Sequence, residues 1–298
     1  MADKYTFKQF QKQYPDDDAC LLAILRRRYA KIDACPSCGV IGNLTRIAGR
    51  RAFACQEGCH IYPCAGTVFE HSSTTLTLWF HAVYLMTATR NGVSAKELER
   101  QLGVTYKCAW RIGHQLRKLM GARAKAQGPN QLSGHVEIDE TYVGSPVRGK
   151  GKGARAYLQN KVIVFGMVER GGNVRSAVIS NTNKETIFKL ITDNVAGGSA
   201  ISTDSHKMYR SLGSLGYNHG AVNHSIEEWK RGEFCTNSIE GFWSHLKRGL
   251  ASTHVSVSRQ HLQKYADEFA FRYNNRKNPS EMFERMIGRV SNARDIAS

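Results

Sequence analysis

Lysine and arginine number 42 in the 298-residue chain against 25 aspartates and glutamates, a formal charge of +17, and a balance this basic calls for a polyanionic partner. The length exceeds one ordinary domain and falls short of three large ones, so a main domain with smaller appendages is expected. An anionic membrane is the weaker partner, because the start MADKYTFKQF has no apolar signal segment and no stretch approaches the roughly 20 apolar residues of a membrane span.

In chain order, Phe7, Phe10, Leu21, Leu22, Ile24 and Leu25 recur at helical intervals before a cluster of cysteines and glycines. Residues 1–72 therefore read as a helical lead into a small metal-stapled module. Leu76 to Ala88 is apolar but broken by Thr77, His81 and Thr87, which suits a buried helix. Ser94 to Met120 reads as two helices about a tight turn at Gly103, and 73–125 as a helix-turn-helix domain. The polar, Gly- and Pro-bearing stretch 126–134 reads as a linker.

From His135 the period becomes that of strands. HVEIDETYV alternates, and the runs from Lys161 to Arg170 and Val174 to Asn181 flank the turn Arg170-Gly171-Gly172-Asn173, so the three should form a meander. A helix over Lys184 to Val195 then leads to the short apolar run ending at Asp204, in the order of a strand that joins the same sheet after a crossover. Helical patterning returns from Asn237 to about Arg285. The class is α/β, and 135–298 is expected as the main domain.

Eight cysteines cluster mainly between Cys35 and Cys64, unlike a dispersed disulfide framework, and indicate a metal site in a reducing cytoplasm. Cys35 and Cys38 form one ligand pair, and Cys55 and Cys59 a second with one residue more than the usual spacing. That extra residue leaves the fourth ligand open among Cys59, His60 and Cys64. Four protein ligands make a closed, structural zinc site. In the helix pair, Ala95, Leu98, Leu102, Val104, Ala109, Ile112 and Leu116 can face inward. Tyr106, Lys107, Trp110 and Arg111 then project outward, as types suited to phosphates and base edges. The alternative is a plain packed hairpin. Arg148, Lys150 and Lys152 sit in a glycine-rich basic stretch suited either to tracking a DNA backbone or to an ordinary solvated hairpin tip.

Asp139 and Asp204 each end an apolar run and are expected at strand tips, where such sheets present ligands. Glu240 follows 36 positions after Asp204, with Asn237 on the same helical face and Lys247 two turns on. Three hard oxygen donors from distant segments suit magnesium, which completes its shell with water and phosphate oxygens. Lys247 is a cation suited to holding a phosphate beside that face, while His206 and His224 carry little weight as assistants. Arg272, Tyr273, Asn274 and Arg276 either cap their helix or face the site.

Taken together, CPSCG, ACQEGC, AGTVFEHS, VEIDETYVG, STDSHKMYR, VNHS, NSIEGFWSHLKRGL and DEFAFRYNNR resemble the zinc-ribbon branch of the DDE insertion-sequence transposases, nearly end to end. The resemblance implies a ribonuclease-H-like mixed sheet flanked by helices, two magnesium or manganese ions per site, and cutting and joining at mobile-element ends. It places the first aspartate on Asp139 and the second on Asp204. Branches of the family differ in using Asn or Glu as the third member, and the sequence offers Asn237 and Glu240. Glu240 is favoured, since an anionic oxygen holds magnesium better than an amide. DNA partners (terminal repeats and target), a bacterial cytoplasmic setting and at least a dimer at synapsis are implied too. The competing classes are a non-catalytic DNA-binding regulator and a nuclease of the same fold that does not join ends.

Overall fold

The computed structural model describes residues 5–29, 33–122, 131–144, 161–223, 226, 228 and 230–291. The chain divides into two compact units, 1–122 together with 277–298, and 123–276. Among the described residues no helix is long and apolar enough to cross a membrane.

The first unit opens with α1 (Phe7–Gln13) and α2 (Asp17–Arg28). Thr6 and Gln9 form a reciprocal capping box on α1, and the Asp16 carboxylate accepts from the Ala19 N–H on α2. A three-stranded antiparallel ribbon follows, β1 (Thr45–Arg46), β2 (Phe53–Ala54) and β3 (His60–Ile61). Next come α3 (Leu76–Ala88), α4 (Ala95–Leu102) and α5 (Tyr106–Gly121). Gly103 ends α4 at φ +64°, a left-handed turn that glycine adopts without a Cβ clash.

The boundary expected at residue 72 falls inside this unit. Asp17 on α2 accepts from the Leu76 and Thr77 N–H groups at 3.0 and 2.9 Å, binding the start of α3 to the segment before the ribbon. The domain expected over 135–298 also loses its last helix. Segment 282–291 packs on α2, α3 and α5, with Phe283 among the rings of Phe10, Tyr14 and Phe80. The Arg289 guanidinium there donates to the Leu119 and Met120 carbonyls, satisfying acceptors that the end of α5 leaves open.

The second unit is a five-stranded mixed sheet. Its strands are β4 (His135–Val143), β5 (Val162–Glu169), β6 (Val174–Ile179), β7 (Ala200–Asp204) and β8 (Asn218–Val222), ordered β6-β5-β4-β7-β8. The expected meander β4-β5-β6 is antiparallel, whereas β7 joins β4 in parallel after α6 (Lys184–Asn194), and β8 joins β7 in parallel. One face is covered by α6 and the 3-10 segment Lys207–Leu215, over Val136, Ile138, Phe165, Met167 and Ile201. The other is covered by α7 (Asn237–Gly249) and α8 (Leu262–Asn274), over Val162, Val164, Val168 and Val174. Between α7 and α8 the expected continuous helical tail breaks into a π turn and a 3-10 turn. A hairpin, β9 (Lys230–Arg231) with β10 (Phe234–Cys235), precedes α7. Finally α9 (Met282–Ser291) is the helix that returns to the first unit.

Candidate functional site

Strand alternation decides which side chains of β4 reach which face. Val136 and Ile138 enter the core beneath α6, so Glu137, Asp139 and Thr141 face α7. Asp139 does not end its strand, as the sequence suggested. It is the fifth of nine residues, because Glu140 to Val143 continue paired to β5. What stops there is the parallel neighbour. His135, Val136 and Glu137 pair with Ala200, Ile201 and Ser202, and extending that register by two residues sets Asp139 beside Asp204, the last residue of β7. Equivalent positions on adjacent strands share a face, so both carboxylates lie on the α7 side.

Asp139 is mostly buried, and its pKa is raised to about 7, first by burial and then by the charges of Glu140 and Asp204. The Trp243 indole N–H opposes that shift by donating to Oδ2 of Asp139 at 2.9 Å. Glu140 points to the other face, where the Tyr209 hydroxyl donates to it at 2.7 Å, and its pKa is raised, chiefly by burial. An environment that penalises a carboxylate's charge while gathering further carboxylates suits a bound cation.

Glu240 lies on the first turn of α7, partly exposed, and accepts from the Thr236 hydroxyl at 3.0 Å. Asn237 and Lys247 are exposed on the same helix. The oxygens of Asp139, Asp204 and Glu240 are not all within 4.8 Å of one another. Two ions about 3.5–4 Å apart would draw on donors spread more widely than a single ion's shell does. Near Asp204, the His206 backbone N–H donates to Oδ1 of the aspartate at 3.1 Å and the His206 imidazole is exposed. Arg148, Lys150, Lys152 and His224 lie outside the described residues.

The C-terminal polar group is structural. Arg272 forms a buried ion pair with Glu268 at 2.7 Å. Asn274 bonds both backbone groups of Val174, and Gln263 accepts from the Val178 N–H and donates to the Ser176 carbonyl. These amides satisfy the outer edge of β6, which would otherwise present unpaired groups. Arg276 stacks on Tyr273 at 3.8 Å.

In the first unit the sulfurs of Cys35, Cys38, Cys55 and Cys59 lie within 4.8 Å of one another, among the described residues the one group of His, Cys, Asp and Glu so gathered. Cys38 and Cys55 are 3.8 Å apart, matching the roughly 3.8 Å sulfur separation of a tetrahedron with 2.3 Å zinc–sulfur bonds. Of the three candidates that spacing left open, Cys59 is the one gathered with the other three sulfurs. Cys64 is buried, with its thiol pushed up to about 11 by that burial, and His60 is exposed on β3. Backbone N–H groups of Cys38 and Ser37 help lower Cys35 to about 7, toward the thiolate that binds metal.

On the helix pair, Leu98, Leu102, Ala109, Ile112 and Leu116 are buried, whereas Tyr106, Lys107, Trp110 and Arg111 are exposed. Arg111 also lies 5.5 Å over the Trp79 ring, and Lys96 lies 5.2 Å over Tyr106. Sequence reasoning passed over Glu137 and Trp243. Glu137 is fully buried, accepting from the Ser238 and Ile239 N–H groups at 2.6 and 3.1 Å and from the Ser238 hydroxyl at 3.0 Å, with Arg170 at 3.2 Å. The signal was a charge at an inward position of β4.

The chain matches the model of the ISXO2-like transposase domain over residues 131–274 and that of the transposase zinc-ribbon domain over 15–61. It is 30% identical over 273 residues to an uncharacterized protein in transposable element ISH50 of Halobacterium salinarum, covering 85% of this chain and 89% of that one. Among solved structures it is similar to the Mos1 strand transfer complex (14% identity, TM-score 0.31, 72% of this chain and 77% of that one). It is similar also to a pre-cleavage Mos1 transpososome (12% identity, TM-score 0.22, 70% and 77%). From the sequence matches and the four-cysteine cluster, the chain belongs to the insertion-sequence transposases that pair a zinc ribbon with an ISXO2-like transposase domain.

Proposed function

We propose that this protein cuts DNA at the ends of its mobile element and joins the freed 3′ ends to target DNA, with Asp139, Asp204 and Glu240 holding two divalent ions. The observation that carries the reading is the register that sets Asp139 beside Asp204 on the face that α7, with Glu240, covers. The order of the mixed sheet, an antiparallel meander extended by two parallel strands, supports a ribonuclease-H-like catalytic unit. Magnesium or manganese bound there would activate a water and then a 3′-hydroxyl, and stabilise the leaving oxygen.

The chain's own groups do the positioning. Asp139 is held by Trp243 and offers its second oxygen to a cation. Asp204 stands one strand away, and Glu240 comes from the covering helix. Asn237 shares the first turn of α7 with Glu240 and is the alternative third donor. Lys247, exposed further along, is suited to steadying a phosphate. The charge of +17 and the exposed Tyr106, Lys107, Trp110 and Arg111 support DNA as partner, with α5 as the reading helix of a helix-turn-helix. Joining two ends in concert calls for at least two copies of the chain.

Purified protein incubated with magnesium or manganese, element-end DNA and a target plasmid tests the reading. Covalent end-to-target products are expected; bare nicks would indicate a nuclease, and binding alone a regulator.

A further inference from the structure

Two residues of β4 reach across to α7, and Glu240 lies between their points of attachment. The first is Glu137, whose buried carboxylate accepts from the N–H groups of Ser238 and Ile239 and from the Ser238 hydroxyl. The second is Asp139, which accepts from Trp243. The attachments thus fall at positions 238–239 and 243, either side of 240, less than two turns apart. Both anchors belong to alternate positions of one strand and share its face.

The Glu137 attachment is strong for two reasons. A carboxylate at a helix N-terminus meets N–H groups that have no partner within the helix, and it meets the positive end of the helix dipole. Its remaining charge faces Arg170, which also donates to the Glu233 carbonyl at 2.9 Å and to the Cys235 sulfur at 3.0 Å. Arg170 therefore ties the approach to α7, residues 233–235, to the same carboxylate. Thr236, the residue before α7, donates to Glu240 itself. A fully buried carboxylate bonded to this many donors is a fixed point of the fold.

We infer that Glu137 is a positioning residue of the catalytic site: by clamping the first turn of α7 to the strand that carries Asp139, it sets where the Glu240 carboxylate stands relative to Asp139 and Asp204. The inference rests on the proposed assignment of those three residues to metal binding. Glu137 itself is enclosed by α7 and Arg170 and acts through Glu240. Groups that orient metal ligands in this way typically change metal affinity or activity about 10- to 100-fold when altered.

The test is Glu137→Gln in the full-length protein, which keeps the side-chain shape and removes the charge. Manganese binding is titrated by electron paramagnetic resonance without DNA, and joining of pre-cut element ends is measured against DNA concentration. Expected are a roughly tenfold loss of manganese affinity and a kcat lower by about 10- to 100-fold with KM for DNA unchanged, in a protein that still melts cooperatively and retains its zinc. Unchanged manganese affinity and kcat would overturn the inference. Should Glu137→Gln not melt cooperatively, Ser238→Ala carries the test, since it deletes one bond to the carboxylate. A smaller loss in the same direction supports the inference, and no change overturns it. Asp139→Asn run in parallel separates the two claims: if it abolishes joining while Glu137→Gln does not alter it, only the positioning role fails, and if it leaves joining intact the assignment beneath fails.

Discussion

Gly166 stands directly opposite Asp139 in the β4–β5 register, and the space where its side chain would be is filled by the Trp243 indole. A Cβ at 166 would lie 2.5 Å from Cη2 of Trp243 and 2.9 Å from Cδ1 of Ile239. The missing side chain leaves room for the ring whose N–H reaches the aspartate. Gly166→Ala is therefore expected to displace α7 locally, costing about 1–3 kcal/mol as an overpacked core does. It should also reduce joining, through loss of the Trp243 bond. Melting and joining assays on one preparation check both.

Asp139 gives a pH dependence with a definite sign. Its folded-state pKa is raised from the ordinary 3.8 to about 7, so the metal-free folded state binds the proton more tightly than the unfolded chain does. This contribution is most favourable below pH 4, and is lost as pH rises from about 4 to 7. Asp139→Asn should remove the loss, making an inactive variant more stable than the parent at pH 8 without added magnesium, by a few kcal/mol at most. At pH 4 the two should converge. Denaturant titrations at the two pH values measure the difference.

The zinc ligands separate two neighbouring cysteines. Cys59→Ser is expected to lose the metal and with it the ribbon β1–β3, whose strands are only two residues long and have little core of their own. Cys64→Ser is expected to keep one zinc per chain, because Cys64 lies outside the four-sulfur group. Metal content by mass spectrometry distinguishes them.

Removal of the chain beyond Arg276 should damage the first unit rather than the second. Phe283, Met286, Ile287 and Val290 are buried there, each contributing about 1.5–3 kcal/mol, and the Arg27–Glu284 ion pair and the Arg289 cap on α5 go with them. Against a typical stability of about 5–15 kcal/mol, the first unit is not expected to stay folded, while the sheet of the second is. Loss of the first unit's cooperative unfolding, together with loss of end-DNA binding, in the truncated protein is the expected result.

The sequence exposed those features that follow from a repeating period. The meander β4-β5-β6 was visible in β-branched alternation, and β7 in its position after a crossover helix. Strand β8, Asn218–Val222, was not, because it lacks alternation and carries Gly220, where a Cβ would meet the Phe234 ring. Such a close approach is written in tertiary structure alone. Asp139 and Asp204 were recognisable as acids after apolar runs, but that Asp139 sits mid-strand followed only from how far β5 pairs with β4. The return of α9 to the first unit was likewise hidden: its apolar face is compatible with either unit, and only its partners decide.

The most direct test of the account replaces magnesium with Fe2+ and, with ascorbate and peroxide, lets the bound iron cut the polypeptide next to its ligands. Fragments ending near Asp139, Asp204 and the first turn of α7 around Glu240 are the predicted result, suppressed by excess magnesium. Cleavage confined to other segments, or cutting near one of the three and not the others, would contradict a shared metal centre on this face of the sheet.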